Sequence, residues 1–400
     1  MKSNKKMVLP IFSLMCSSCV GKTDYDISNY RLTMKFHDDF KVMQMSDIHF
    51  GLQGEFKKQL DFVCDAIKQE DPDLIVFTGD IFMYSTKGIV DNFLFEVNEQ
   101  CKELSNNHPD RITKFALTYG NHDTQGDYSI YYLNDSIMNY HCKDGEELKE
   151  NKFAAFIDYK DDNIQGLANY YIDLVDDINK DNQSVDVKYR LHILDSNSYF
   201  YSNMKYKYDL IHEDQLDHID YIYKYATADK DYIGMCFFHI PLYEYELAKQ
   251  QYLQSETPSL IGQGEFKDKT RLPYYDNNSF SRLRKNNIIS YFVGHDHMNY
   301  CDVIYNHSSN NIDEKAVFSY GVKGNNQLYH DTNMIGYKII NLKDNMTQEK
   351  FLSIENINNN FINITNRGDK VWKINKSHNN KTPWQKGSDT QSCDLKVLLS

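Results

Sequence analysis

The sequence predicts an α/β fold with parallel strands, on three observations. Continuous apolar runs of strand length, such as DLIVFTGD at 73–80, alternate with segments whose apolar residues recur at helical spacing. The runs show no inside–outside alternation, which places each strand under cover on both faces. Each run also breaks off, at its C-terminal end, in a polar cluster of Asp, Asn or His.

The elements follow in order. FKVMQMSDIH (40–49) reads as a strand running into a loop. FKKQLDFVCDAIKQ (56–69) sets Leu60, Val63 and Ile67 at helical spacing and ends before Pro72. DLIVFTGD is the second strand, VDNFLFEVNEQCKEL (90–104) the second helix, and ITKFALTYGNHD (112–123) a third strand. Strand, helix, strand, helix, strand at these lengths implies parallel pairing through right-handed crossovers. YRLHILDS (189–196), helical EDQLDHIDYIYKYA (213–226), YIGMCFFHIP (232–241) and SRLRKNNIISYFVGHDH (281–297) come later, followed by strands and turns in CDVIYN, KAVFSYG and MIGYKIINL. Two irregular stretches, 124–170 and 243–280, directly follow polar strand ends, where lids and substrate loops sit. Beyond about residue 345 the chain turns Asn- and Lys-rich, and residues 346–400 are expected to pack poorly. No internal repeat and no transmembrane span is visible.

Composition bounds the function. The chain has 400 residues, 41% hydrophobic and 25% charged, enough for a substantial globular core. A net charge of −13 without a basic patch argues against a nucleic-acid partner. An anionic substrate stays open, provided metal ions supply the local positive charge. Residues 1–21 have a basic start, a mostly apolar stretch and small residues at Ser17, Cys19 and Gly21, as a secretory signal does. The expected location is therefore the secretory pathway or the extracellular space, with the cytoplasm as the alternative. The apolar stretch is too short to be a transmembrane anchor. Cys64, Cys101, Cys142, Cys236, Cys301 and Cys393 are scattered, so any disulfide pairing is unreadable. Sequons at Asn134, Asn182, Asn277, Asn306, Asn345, Asn363, Asn375 and Asn380 are compatible with a glycoprotein.

The polar strand ends carry the chemistry. GHDH at 294–297 puts His295 and His297 two apart, on one side of an extended backbone. SDIH repeats that spacing with Asp47 and His49. TGD supplies Asp80, GNHD supplies Asn121, His122 and Asp123, and FFHIP supplies His239. In an open α/β sheet the carboxyl ends of strands converge on one crevice, so these clusters point to one place. Asp, His and an Asn amide oxygen suit Mn, Fe, Zn or Ni rather than calcium or a thiolate-bound zinc. Two divalent metal ions would exceed the charge of Asp47 and Asp80, leaving room for a bridging hydroxide and a phosphate group. Asp80 stands alone at its strand end and is the natural bridge, with the ions about 3.5–4 Å apart.

The ordered set D-x-H, G-D, G-N-H-D, H and G-H-x-H resembles the calcineurin-like metallophosphoesterase superfamily over roughly residues 40–342. FKVMQMSDIHFG, FFHIPLYEYE and FVGHDHMNYC are similar to the branch holding the Dcr-type and purple acid phosphatase 29-like phosphatases. The resemblance implies a four-layer αββα sandwich of two mixed β-sheets flanked by helices, with the metals at one edge. It implies that Asp47, His49 and His297 hold the first ion, that Asn121, His239 and His295 hold the second, and that Asp80 bridges them. It also implies His122 as proton donor near the leaving oxygen, with Asp123 as its orienting partner. The implied reaction is hydrolysis of a phosphate-ester substrate by in-line attack of the bridging hydroxide. The expected division is a signal at 1–21, a catalytic domain at 22–345 and a tail at 346–400. One departure matters: the purple enzymes carry a tyrosine ligand three residues after the Asp80 position. Met83 stands there, Tyr84 falls one step late, and His49 is present where those enzymes lack a histidine. Neither a tyrosinate-to-iron colour nor an obligatory ferric ion is therefore expected.

Plainer roles go to the remaining residues. His37, His108, His141, His192, His212, His218, His307 and His378 have no partner pattern and read as structural or solvated. His330 is a minor candidate for substrate contact, Glu244 reads as a solvated loop carboxylate, and GVKGNN (321–326) as a turn. Phosphate monoesters, phosphoproteins among them, are the expected substrates. A phosphodiesterase or nuclease uses the same ligands, and a non-catalytic scaffold that kept the fold is the reading from another class.

Overall fold

A computed structural model describes residues 26–51, 56–126, 130–140, 149–158, 163–178, 186–202, 204–226, 231–307, 315–326, 328–331, 334–362 and 374–376. The strand–helix alternation begins with β1 (Arg31–Lys35), β2 (Phe40–Met45), α1 (Phe56–Glu70), β3 (Leu74–Thr78), α2 (Lys87–Asn107) and β4 (Lys114–Thr118). Next come α3 (Ile130–Met138), a short ribbon of β5 (Asn139–Tyr140) and β6 (Lys149–Glu150), then β7 (Tyr170–Val175) and β8 (Val187–Ile193). A hairpin of β9 (Tyr199–Ser202) and β10 (Lys205–Tyr208) precedes α4 (Glu213–Tyr225) and β11 (Ile233–Phe237). The chain continues through α5 (Glu244–Gln254), α6 (Pro258–Ile261), β12 (Gly262–Gln263), α7 (Ser279–Lys285) and β13 (Ile288–Val293). It closes with β14 (Asp302–Asn306), β15 (Lys315–Tyr320), β16 (Gly336–Leu342), α8 (Gln348–Phe351), β17 (Ile357–Ile362) and β18 (Ile374–Lys376).

These elements make two mixed sheets. Six strands run in the order β18-β17-β16-β2-β3-β4, and eight in the order β1-β7-β8-β11-β13-β15-β14-β12. The first three apolar runs pair in parallel, β2 with β3 and β3 with β4, as the crossovers require. Antiparallel β16 and β17 extend that sheet on the other side of β2. The core fills the space between the sheets, where Val42, Val76 and Ile340 of one share a buried cluster with Leu191, Met235, Phe237 and Phe292 of the other. Phe77 turns the opposite way, to pack edge-on against Phe93 of α2 at 5.3 Å. Residues of opposite parity on the eight-stranded sheet, Cys236, Tyr291 and Phe318, face α4, α5 and α7 through Leu216, Tyr245 and Phe280. Leu60, Val63, Phe93 and Val97 seat α1 and α2 on the outer face of the six-stranded sheet. That is the four-layer αββα arrangement, two mixed sheets flanked by helices.

Two expectations need correction. The stretches 124–170 and 243–280 are not irregular throughout, since they carry α3, α5, α6 and the start of α7. Residues following 345 do not pack poorly as far as Ile362. Phe351 and Ile357 are buried, and β17 pairs along β16. The asparagine run is instead β17, paired between β16 and β18, and its Asn359 donates to Asp302 Oδ2 at 3.2 Å. The signal at 1–21, Cys142, Cys393, His141, His378 and the sequons at Asn182, Asn363 and Asn380 lie outside the described residues. Cys64, Cys101, Cys236 and Cys301 are free thiols. Asn134 is buried, with its amide bonded to Tyr119 and Asp158, so a glycan there is incompatible with this fold. Among the described residues no helix is long and apolar enough to cross a membrane.

A buried ion pair straps the two sheets together. Lys338 of β16 pairs with Asp302 of β14 and donates to Ser319 Oγ of β15 at 2.6 Å, all three fully buried. Lys338→Met should cost about 3–5 kcal/mol in urea unfolding, because Asp302 is left as an unpaired buried charge. Adding Asp302→Leu should recover most of that loss, since a well-packed apolar pair replaces a buried ion pair at little cost. A loss below about 1 kcal/mol for Lys338→Met alone would remove the strap from the account.

Candidate metal centre

The edge where both sheets end builds one centre. Asp47 and His49 follow β2, Asp80 follows β3, Asn121 follows β4, His239 follows β11, and His295 and His297 follow β13. Asp47, His49, Asp80 and His295 all adopt positive φ, between 50° and 74°. A non-glycine residue held there stores of order 1–3 kcal/mol and persists only where its surroundings dictate it. Backbone bonds do the dictating: Asp47 N–H to Gly79 O at 3.1 Å, and His49 N–H to Asp80 O at 2.9 Å. The two sheets meet where His295 N–H donates to Asp47 Oδ2 at 3.0 Å. Gly294 makes that approach possible, because a Cβ there would stand 2.6 Å from Asp47 Oδ2 and closer still to Ser46 Oγ.

The side chains fall into two sets. Asp47, His49, Asp80 and His297 form one, and Asp80, His239 and His295 the other, with the ligand atoms of each within 4.8 Å of one another. Every member is buried, and Asp80 belongs to both. In the first set His49 Nε2 lies 3.1 Å from His297 Nε2, which lies 3.4 Å from Asp47 Oδ1. In the second, His239 Nε2 is 3.2 Å from Asp80 Oδ2 and 3.3 Å from His295 Nδ1. Far nitrogens are fixed by carbonyls: His239 Nδ1–H donates to Thr78 O at 2.9 Å and His297 Nδ1–H to Tyr329 O at 3.0 Å. Each of these rings therefore turns an Nε2 lone pair inward, as a ligating histidine must.

The residues fit a pair of divalent cations. Burial keeps His49, His295 and His297 below the usual histidine range, and so in the neutral form that ligates. Burial opposes charge on His239 as well, yet Asp80 and Asp47 raise it to about 10. The carboxylates are thus drawing positive charge into a site whose imidazoles resist carrying it. Asn121 Oδ1 is buried without a hydrogen-bond partner, while its Nδ2 donates to Tyr199 Oη at 2.7 Å. A buried amide oxygen left without a partner is what a metal would satisfy.

His122 and Asp123 do not act on each other. His122 N–H donates to Asp80 Oδ1 at 2.7 Å, and its ring Nδ1 bonds Gln125 Oε1 at 2.9 Å. Both Asp123 oxygens are taken by backbone amides, of Phe82 and of Gly120, each at 2.7 Å. The expectation that Asp123 orients His122 is therefore corrected: Gln125 holds the ring, and Asp123 pins the loop after β4 to the loop after β3. Burial first, and then the Asp80 charge, push the Asp123 carboxyl up to about 7. Glu244 is not a solvated carboxylate either. It opens α5, is buried, and is raised to about 7 by that burial. His330 turns its Nδ1 to Leu328 O at 2.8 Å.

Sequence reasoning missed several supporting residues. Lys323, inside the GVKGNN turn, is fully buried and donates to Asp47 O at 2.9 Å, bracing the strained backbone of that ligand. Burial lowers its ammonium to about 8 against the pull of Asp47 and Asp80. Tyr329 stacks on His297 at 4.2 Å and 14°, and Tyr208 meets His295 edge-on at 4.3 Å. Tyr84 is exposed, which fits the absence of a tyrosine ligand.

A carboxylate shared by two imidazole-bearing sets, at the edge of two stacked sheets, defines a candidate centre for two divalent cations. A model of the calcineurin-like phosphoesterase family matches residues 40–299, and the chain belongs to that family. It is 28% identical over 301 residues to phosphatase DCR2 of Saccharomyces cerevisiae, covering 70% of this chain and 48% of the yeast protein. The chain thus spans about half the length of that relative. It is 24% identical over 324 residues to a protein of Arabidopsis thaliana named probable inactive purple acid phosphatase 29, covering 73% and 76% of the two chains. Among solved structures, a dimetal phosphatase from Danio rerio superposes with a TM-score of 0.45 at 12% identity, over 82% of this chain and 95% of its own.

Proposed function

We propose that the protein hydrolyses phosphate monoesters with two divalent metal ions. The observation that carries this is the sharing of Asp80 between the two ligand sets. Asp47, His49 and His297 would hold one ion and Asn121, His239 and His295 the other. When bound, such a pair supplies Lewis acidity toward phosphoryl oxygens and lowers the pKa of water for attack. The chain's own residues do the rest. Asp80 and Asp47 set the charge of the centre, and Thr78 O and Tyr329 O fix the imidazole tautomers. Gln125 engages His122 Nδ1 and leaves Nε2 free to hold a proton at the leaving-group oxygen.

The monoester preference is supported by the net charge of −13 and the lack of a basic groove in the sequence to track a polynucleotide backbone. The test is a panel of p-nitrophenyl phosphate, its bis-ester, nucleotides and a phosphopeptide, with metal content measured on the same sample. Metal-loaded protein should favour the monoester over the bis-ester by about tenfold or more in kcat/KM, ~1.4 kcal/mol in the transition state. The reverse order would make it a diesterase. Two bound ions with no turnover on any ester would make it a scaffold.

A further inference from the structure

The β9–β10 hairpin carries a row of tyrosines that starts at the metal ligands. Its register opposes Tyr199 to Tyr208 and Tyr201 to Tyr206. Opposed residues share a face, as do residues two apart, so these tyrosines line one face of the hairpin. At the inner end Tyr199 Oη accepts from Asn121 Nδ2 at 2.7 Å, and the Tyr208 ring packs on His295 at 4.3 Å. At the outer end, about 7 Å further along the strands, Tyr201 and Tyr206 are 60% and 65% exposed, with ring centroids 5.0 Å apart.

The rest of the hairpin holds that face in place. Phe200, on the opposite face, stacks on Tyr274 at 4.2 Å and 11°, which ties the hairpin to the segment before α7. Tyr84, 59% exposed and on a positive φ of 54°, is bonded through its amide to the carbonyl of Gln125, the residue that holds His122. Single exposed rings are ordinary, but rings contiguous with a buried metal centre form a surface built to be covered.

We propose that this tyrosine face receives the leaving group of the substrate, and that the substrate class is a phosphoester whose leaving group carries a flat aromatic ring. The inference rests on the phosphoesterase reading above. Lys205 and Lys207 register with Ser202 and Phe200, on the other face, so the tyrosines offer no cation to a second phosphate. Tilted phenol rings present π-faces and edges, which reward a planar ring by offset or edge-to-face contact beyond its area. An aliphatic leaving group gains only the area.

Benzylphosphonate and ethylphosphonate, which cannot be hydrolysed, separate the ring from the phosphate. Calorimetry on metal-loaded protein should find benzylphosphonate tighter by about 5- to 150-fold, the worth of one ring on an aromatic platform. Tyr201→Ala with Tyr206→Ala should bring the two ligands within about twofold of each other, chiefly by weakening benzylphosphonate, while metal content stays unchanged. Tyr201→Phe with Tyr206→Phe should keep the preference, since the ring faces remain. Equal binding in the wild type, or a preference that survives both alanines, overturns the ring assignment and leaves the phosphoesterase reading intact. If neither phosphonate binds a chain that holds two ions, both readings fall together.

Discussion

Asp80→Asn should strip the centre of both ions, where His297→Ala should weaken one. Asp80 is the residue common to the two ligand sets. Its Oδ2 lies 3.2 Å from His239 Nε2 and 3.9 Å from His49 Nε2, so a single carboxylate oxygen stands between the two groups of imidazoles. Asparagine keeps the shape but removes the charge, leaving Asp47 as the remaining carboxylate among the seven ligands. It also presents two N–H donors where both ions need lone pairs. Residues that merely support a ligand cost about 10–100-fold in metal affinity or activity when changed, so loss of the shared ligand should exceed that range. His297 by contrast belongs to the first set alone. Elemental analysis after dialysis should find two ions per chain in the wild type, close to none in Asp80→Asn and about one in His297→Ala. Two ions retained in Asp80→Asn, with normal turnover, would remove Asp80 from the bridge.

The ligands were legible because each sits within a few residues of a strand end. An apolar run such as LIVFT fixes where the strand stops, and parallel strands related by crossovers must stop at one edge. Asp47, Asp80, Asn121 and the later histidines could therefore be placed together without knowing any distance. What holds them was not legible, because those contacts are set by loops that meet across hundreds of residues. Lys323 reaches Asp47 from 276 positions away and looks in sequence like any lysine in a glycine turn. Asp123 and Gln125 are both close enough in sequence to serve His122. The choice falls to Gln125 because the amides of Gly120 and Phe82 have already claimed the Asp123 carboxylate. The tyrosines of the hairpin recur at a period of two, a pattern that a chain with 31 tyrosines produces by composition alone. Asparagine bias likewise hid β17, whose Asn359 and Asn360 are buried where a strand more often places apolar side chains.

His122→Asn should lower turnover on alkyl phosphates by about 10²–10⁴-fold, the usual worth of a positioned general acid, with both ions retained. The ring is half-buried beside the first ligand set, its centroid 5.3 Å from that of His49, yet it is not among the residues clustered to take an ion. Its backbone N–H is tied to Asp80 Oδ1 and its Nδ1 to Gln125, so the one ring atom left to meet a substrate is Nε2. Gln125 is uncharged, so it orients the ring without placing a carboxylate beside the phosphate. The penalty should shrink on p-nitrophenyl phosphate, whose leaving group departs without needing a proton. Gln125→Ala should show the same leaving-group dependence in weaker form, since it loosens the ring without deleting it. Asp123→Asn should behave differently. It disturbs the amides of Gly120 and Phe82, and with them the seats of Asn121 and Asp80, so metal content should fall and good and poor leaving groups should slow alike. If His122→Asn instead sheds an ion, or slows both kinds of ester equally while Asp123→Asn restores the leaving-group signature, the proton belongs to the aspartate and not to the histidine.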